Sequence, residues 1–164
     1  MKSLKKIQSK IIDNSSALNE QLQIWSKQSK KIVFTNGCFD LLHRGHIEYL
    51  AKAADYGDVL LIGLNTDDSV SRLKGPHRPI QDEISRAHIM AALEFVDLVV
   101  YFNEDTPLNL IKIVQPDVLV KGADYKAEDI VGYDIVMAKK GKVETIEFLP
   151  GYSTSGIEEK IKLG

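Results

Sequence analysis

Five short runs of nearly unbroken apolar residues divide the chain: "KIVFT" (31–35), "VLLIGLN" (59–65), "LVVYF" (98–102), "VLVKG" (118–122) and "VETIEFL" (143–149). They are rich in β-branched residues, and most lack the strict alternation of a half-exposed strand. That pattern predicts strands covered on both faces, as in a parallel sheet. Between them the apolar positions recur at helical spacing. Ile47, Leu50, Ala51 and Ala54 form one stripe, and Ile84, Ala87, Ala91 and Phe95 form another. Thr106 followed by Pro107 reads as a cap and first-turn pair, with Leu108, Ile111 and Val114 facing inward and Pro116 marking the exit. Strand alternating with helix predicts an α/β fold, a Rossmann-like open five-stranded parallel sheet flanked by helices.

Residues 1–28 follow a different rhythm. Leu4, Ile7, Ile11, Leu18, Leu22 and Trp25 suit an amphipathic helix interrupted near "DNSS". The segment is expected to be a helical extension packed on the main domain (residues 29–164) or on a second subunit, and its apolar content predicts a homodimer.

Composition narrows the partners. With 164 residues and 44% hydrophobic content, the chain suits one well-packed domain. A formal charge of -2 without a long basic block argues against a nucleic-acid or membrane surface. The single cysteine, Cys38, has no internal disulfide partner, and "MKSLKKIQSK" lacks the apolar run of a signal peptide, so a cytoplasmic location is expected.

The densest chemistry lies in "TNGCFDLLHRGH" (35–46), which leaves the first strand at its carboxyl end, the edge where open α/β sheets bind ligands. Neither G-x-G-x-x-G nor G-x-x-x-x-G-K-[ST] occurs, so another phosphate-binding device is required. A helix beginning near His43 would put His43 and His46 on one face of its first turn, and Gly45 between them would admit close approach to the backbone. Backbone N–H groups and the helix dipole add positive potential there, and two imidazoles can donate hydrogen bonds to phosphate oxygens. Zinc binding and purely structural histidines are the alternatives. Cys38 lacks an identifiable activating partner and reads as a small packed residue.

"GCFDLLHRGH" resembles the H-x-G-H signature of the nucleotidyltransferase superfamily. The resemblance continues through "LNTDDSVSRLKGPHRPI", "ALEFVDLVVYFNEDTP", "PDVLVKGADYKAEDIVG" and "GYSTSGI", and is strongest to the heptose 1-phosphate adenylyltransferase branch. It implies transfer of AMP from ATP to a sugar 1-phosphate with release of pyrophosphate. His43, His46 and Lys74 would be catalytic. Thr35, Asn36, Gly37, Cys38, Phe39, Gly45, Lys121, Gly122, Asp124, Ser153, Thr154 and Ser155 would border the nucleotide, and Asp40 and Arg78 the sugar phosphate. "RLKGPHRP" resembles a mobile basic loop carrying Lys74 and Arg78; a solvated surface loop is the alternative.

Arg86 matches an arginine of the family pattern, with an outward salt bridge as the alternative. Arg44 fills the variable position of H-x-G-H, either assisting phosphate binding or facing solvent. His77, His88, Asp67 and Asp97 read as structural or solvent-facing. Mg2+ is implied with the triphosphate, held mostly by phosphate and water because no carboxylate cluster is evident. The sugar-kinase half of bifunctional relatives is absent from these residues, which implies a separate heptose kinase. A cytidylyltransferase acting on glycerol 3-phosphate or a similar alcohol phosphate is the competing activity.

Overall fold

A computed structural model of the chain describes residues 1–123 and 126–164. Among these residues six parallel strands form one sheet in the order β1-β4-β3-β2-β5-β6. They are β1 (Ile11–Ile12), β2 (Ile32–Gly37), β3 (Val59–Asn65), β4 (Leu98–Phe102), β5 (Val118–Gly122) and β6 (Lys142–Ile146). The five predicted strands are present within a few residues at their ends. The sixth is the two-residue β1, which adds to the sheet edge through the register Ile11↔Val99 and Ile12↔Val100. A two-residue strand carries no periodicity of its own, which is why the sequence pattern passes over it.

The helices are α1 (Lys2–Gln8), α2 (Ser15–Lys27), α3 (Arg44–Ala54), α4 (Asp67–Lys74), α5 (Glu83–Ala92), α6 (Leu108–Val114), α7 (Tyr133–Ala138) and α8 (Thr154–Leu163). Successive strand residues point to opposite faces, so the sheet supports two cores. Phe34, Leu61 and Leu119 face α2, α6 and α7 together with Leu18, Trp25, Ile111 and Val136. Val33, Leu60, Ile62 and Val120 face α3 and α5 through Leu50, Ala53, Ala87 and Met90. Burial on both sides explains the unbroken apolar runs.

The N-terminal segment belongs to this packing. Asn14 accepts from the Ala17 amide and starts α2, after the interruption that "DNSS" predicts. Ile12, Leu18 and Trp25 are core residues, and Leu22, Ile7 and Ile11 pack against the two cores. Of the six apolar residues that suggested self-association, only Leu4 is largely exposed. The segment therefore covers its own domain, and Leu4 and Ile24 are the large apolar side chains of α1 and α2 that stay exposed. No helix among the described residues is long and apolar enough to cross a membrane.

On α5 the inward face differs from the predicted stripe. Ile84 is 63% exposed, whereas Arg86 is fully buried beside Ala87, Met90 and Ala91. The chain reverses its direction of winding at β2, whose neighbours are β3 on one side and β5 on the other. The loops leaving β2 and β5 diverge there and open a crevice at the carboxyl edge.

Candidate active site

The crevice holds a cavity of about 340 Å3. Its floor is Asn36, Gly37, Cys38, Phe39 and Asp40, the exit of β2. His46 and Tyr49 from α3 form one wall, Leu73 and Lys74 from α4 with Asp105 form another, and Lys121, Gly122, Phe148 and Thr154 close the far end.

His43 is the N-cap of α3, and its Nδ1 accepts from the His46 amide at 3.3 Å. That bond fixes Nδ1 as an acceptor and leaves the ring proton of a neutral His43 on Nε2. The two imidazoles stack with centroids 3.8 Å apart and planes 16° from parallel, and the edge of Phe39 meets His46 at 5.4 Å. Burial, with smaller contributions from His43 and Lys74, lowers the His46 pKa to about 4, while the nearby Leu41 carbonyl pulls weakly the other way. Burial also lowers that of His43. Both rings are thus set up as neutral N–H donors at the amino end of a helix, where the backbone dipole already favours an anion.

Gly45 has a steric reason. A Cβ there would lie 3.1 Å from both the His43 Nδ1 and the Tyr152 Cβ, so the glycine lets the segment before α8 close over the histidines. That closure builds a second groove of about 230 Å3 between His43, Arg44, Tyr152 and Ser153. Arg44 faces outward, pairing with Glu48 at 2.7 Å and lying over the Tyr152 ring.

Three buried side-chain atoms among the described residues lack a hydrogen-bond partner: Asn36 Oδ1, His46 Nδ1 and Arg78 Nη2. All belong to this edge of the sheet. Buried polar atoms rarely stay unpaired, and of these three residues Asn36 and His46 line the cavity.

Not every expected residue reaches the cavity. Thr35 is fully buried and bonds the Tyr49 hydroxyl at 2.8 Å, which braces α3 against β2. Gly45 acts through the close packing just described. Ser153 caps α8 by accepting from the Gly156 amide at 3.0 Å, Ser155 is exposed, and Thr154 alone of the three reaches the cavity. Asp124 lies outside the described residues.

Asp40 and Arg78 bind each other, at 2.6 Å. Asp40 also accepts from the Ile80 and Gln81 amides, so its carboxylate pins the segment after α4 to the exit of β2. Burial raises its pKa, but those two amides and the Arg78 guanidinium outweigh it and hold the carboxyl below its usual range. Arg78 reaches on to Glu158 of α8. The basic loop is therefore anchored at Arg78, and Lys74 stands in the last turn of α4, just before Gly75 at φ +99°.

Sequence reasoning missed Tyr49, Asn65, Leu73, Asp105 and Phe148 as cavity-lining residues. Asn65, a polar residue ending an apolar strand at the carboxyl edge, carried a usable signal. The others come together only through the tertiary fold. Asp97 is structural, accepting from the Leu60 amide at 2.8 Å. His88 bonds the Ile84 carbonyl within α5, and His77 is exposed.

Comparison with known proteins agrees with this geometry. The "Cytidylyltransferase-like" family model matches residues 34–160. The bifunctional protein HldE of Citrifermentans bemidjiense is 55% identical over 150 residues, which cover 92% of this chain and 31% of that protein. HldE of Campylobacter jejuni serotype O:2 is 59% identical over 144 residues, covering 87% and 30%. This chain thus spans about a third of the length of these curated relatives. Their bifunctional character runs against inferring a separate upstream kinase from these residues alone.

Among solved structures, a lipopolysaccharide core biosynthesis protein from Thermoplasma volcanium matches with TM-score 0.58 and 28% identity, over 73% of this chain and 97% of that one. Pantoate-beta-alanine ligase from Francisella tularensis matches in fold, with TM-score 0.60 at 18% identity over 93% and 77% of the two chains. With the histidine pair at the crevice and a family model spanning most of its length, the chain belongs to the cytidylyltransferase-like family of nucleotidyltransferases.

Proposed function

We propose that the protein transfers AMP from ATP to D-glycero-D-manno-heptose 1-phosphate, forming ADP-heptose and pyrophosphate. The observation that carries the reading is the stacked His43–His46 pair at the amino end of α3, with His46 lining the same cavity as Lys74 and its Nδ1 buried and unpaired. An oxygen of the sugar phosphate attacks the α-phosphorus of ATP and forms the new P–O bond. The bond from the α-phosphorus to the bridging oxygen breaks, and its electrons leave with pyrophosphate. The nucleophile is already anionic at neutral pH, so the residues need only align the reactants and stabilise charge as it develops. Neutral imidazole N–H groups donate to the phosphoryl oxygens, and Lys74, at the end of α4, supplies positive charge to the same cavity.

Mg2+ belongs to this reading. Among the described residues no group of three or more His, Cys, Asp or Glu side chains is placed to hold a metal. That donor set suits an ion arriving on the triphosphate, held by phosphate oxygens and water. Likeness to the HldE proteins supports the heptose substrate, and the description of the Thermoplasma relative fits a product destined for a surface glycan.

The test is pyrophosphate release by the purified chain with Mg2+, each heptose 1-phosphate anomer, and ATP, CTP or GTP. Turnover with ATP and one anomer is expected. Preference for CTP with glycerol 3-phosphate would replace this reading by an alcohol-phosphate cytidylyltransferase.

A further inference from the structure

Arg86 is the largest fully buried side chain among the described residues, and it lies on α5, outside the cavity. Its guanidinium binds three segments at once. Nε donates to the Gln81 carbonyl at 3.0 Å, Nη1 to the Cys38 carbonyl at 2.7 Å, and Nη2 to the Asp67 carboxylate at 2.7 Å. Each acceptor leads to a different part of the site.

Cys38 precedes Phe39, a non-glycine residue held at φ +45°, whose ring edge meets His46. A left-handed backbone at a phenylalanine is unfavourable unless its surroundings hold it, and the carbonyl just before it is held by Arg86. Asp67 is the first residue of α4, the helix whose last turn carries Lys74. Its amide donates to Glu83 Oε2 at 2.8 Å, so two bonds tie the start of α4 to the start of α5. Gln81 gives its amide to Asp40, which joins the same frame to the Arg78 clamp.

We infer that Arg86 is a positioning residue that sets the His46 wall and the Lys74 wall of the cavity at their working separation. Its fork is the only chemistry that fits. Three divergent acceptors need the planar five-donor guanidinium, and a lysine ammonium at the same place lacks that geometry. A single buried cation thereby couples the two catalytic walls. The inference rests on the adenylyl-transfer reading of the site for its rate readout only.

The experiment compares wild type with Arg86→Lys and Asp67→Asn, the second stripping the charge from one arm while leaving the buried arginine in place. Thermal melting fixes the folded fraction. The His46 ring resonances are recorded without substrate, where the Phe39 edge and the His43 stack set their positions. Single-turnover rate and ATP affinity are then measured on the folded protein. Displacement of the walls by a fraction of an ångström to an ångström lowers the rate by about 100-fold in Arg86→Lys, with ATP affinity changed much less.

The His46 resonances move in Arg86→Lys, whereas Asp67→Asn disturbs the rate through the Lys74 wall and leaves them in place. Folded Arg86→Lys with unchanged resonances and unchanged rate overturns the inference, as does a rate loss that only tracks the unfolded fraction. If wild type turns over no sugar phosphate, the proposed function fails. The resonances then decide the positioning role alone.

Discussion

His46 concentrates the chemistry at the scale of a single side chain. His46→Ala is expected to lower turnover by about 100- to 1,000-fold, the usual cost of one preorganised donor to a transition state. The fold should survive, because the ring's Nδ1 bonds nothing in the free protein. Circular dichroism and single-turnover kinetics on the same sample check both halves. The charge state is a separate prediction. With a folded pKa of about 4 against an ordinary 6.5, the native protein resists the proton that the unfolded chain accepts. Stability therefore falls as pH drops from about 6.5 towards 4, and it levels off below that, where both states are protonated.

A triphosphate beside the ring favours its cationic form, so ATP should raise the His46 midpoint and bind more tightly as pH falls. Imidazole titration by NMR, with and without ATP, reads both shifts. A midpoint at or above 6.5 in the free protein contradicts the burial seen here. Asp40 shows the opposite sign. Its lowered carboxyl contributes stability that is present above the unfolded value near 4 and is lost as pH falls through the folded one. Asp40→Asn removes the nearer counter-charge of the 11% exposed Arg78 and leaves Glu158 at 3.4 Å, so the expected loss is at most about 3 kcal/mol, the lower end for breaking a buried pair. Urea unfolding of the variant tests that.

Among the elements, α4 decides how Lys74 works. The family resemblance implies one mobile basic loop over "RLKGPHRP", with a solvated surface loop as the alternative, yet Arg72 and Lys74 end a helix and Arg78 is anchored. The misreading has a physical source. α4 has eight residues and buries only Ser69 and Val70, too short a stretch to show a helical period. The available signal was in its ends. Thr66 caps the Ser69 amide, Asp67 and Asp68 open the first turn, and Arg72 and Lys74 close the last. The histidine signature, the strand exits and the start of α8 were legible, because each sits at a fixed offset from a strand or a cap. The Arg86 hub and the Asp40 clamp were not, because two of the three Arg86 partners lie 19 and 48 residues away and those of Asp40 lie 38 to 41 away. With Lys74 on a helix end beside Gly75, Lys74→Ala should lower single-turnover rate much more than ATP affinity, since charge on the departing pyrophosphate grows towards the transition state. Equal losses in both would mean that Lys74 binds ground state and transition state alike.

Over the whole molecule, the N-terminal segment belongs to the same cooperative unit as the site. Ile12 extends the sheet, and Leu18 and Trp25 complete the core on the α2 face. Trp25→Ala should destabilise the protein by about 3–5 kcal/mol, the range for emptying a large aromatic from a packed core. Thermal melting with light scattering separates this from a change of oligomer. A lower melting temperature at constant mass is expected, and loss of a dimer without loss of stability would assign the tryptophan to an interface instead.

The most direct test of the central claim follows the phosphorus atoms. ATP labelled at the α-phosphate in one reaction and at the γ-phosphate in another is incubated with the protein, Mg2+ and heptose 1-phosphate. The sugar product is then separated from pyrophosphate. Attack at the α-phosphorus beside His43 and His46 places the α-label in the sugar nucleotide and leaves the γ-label in pyrophosphate. A γ-label on the sugar, or an α-label left in ADP, would mean that this crevice transfers the terminal phosphoryl group and is not an adenylyltransferase.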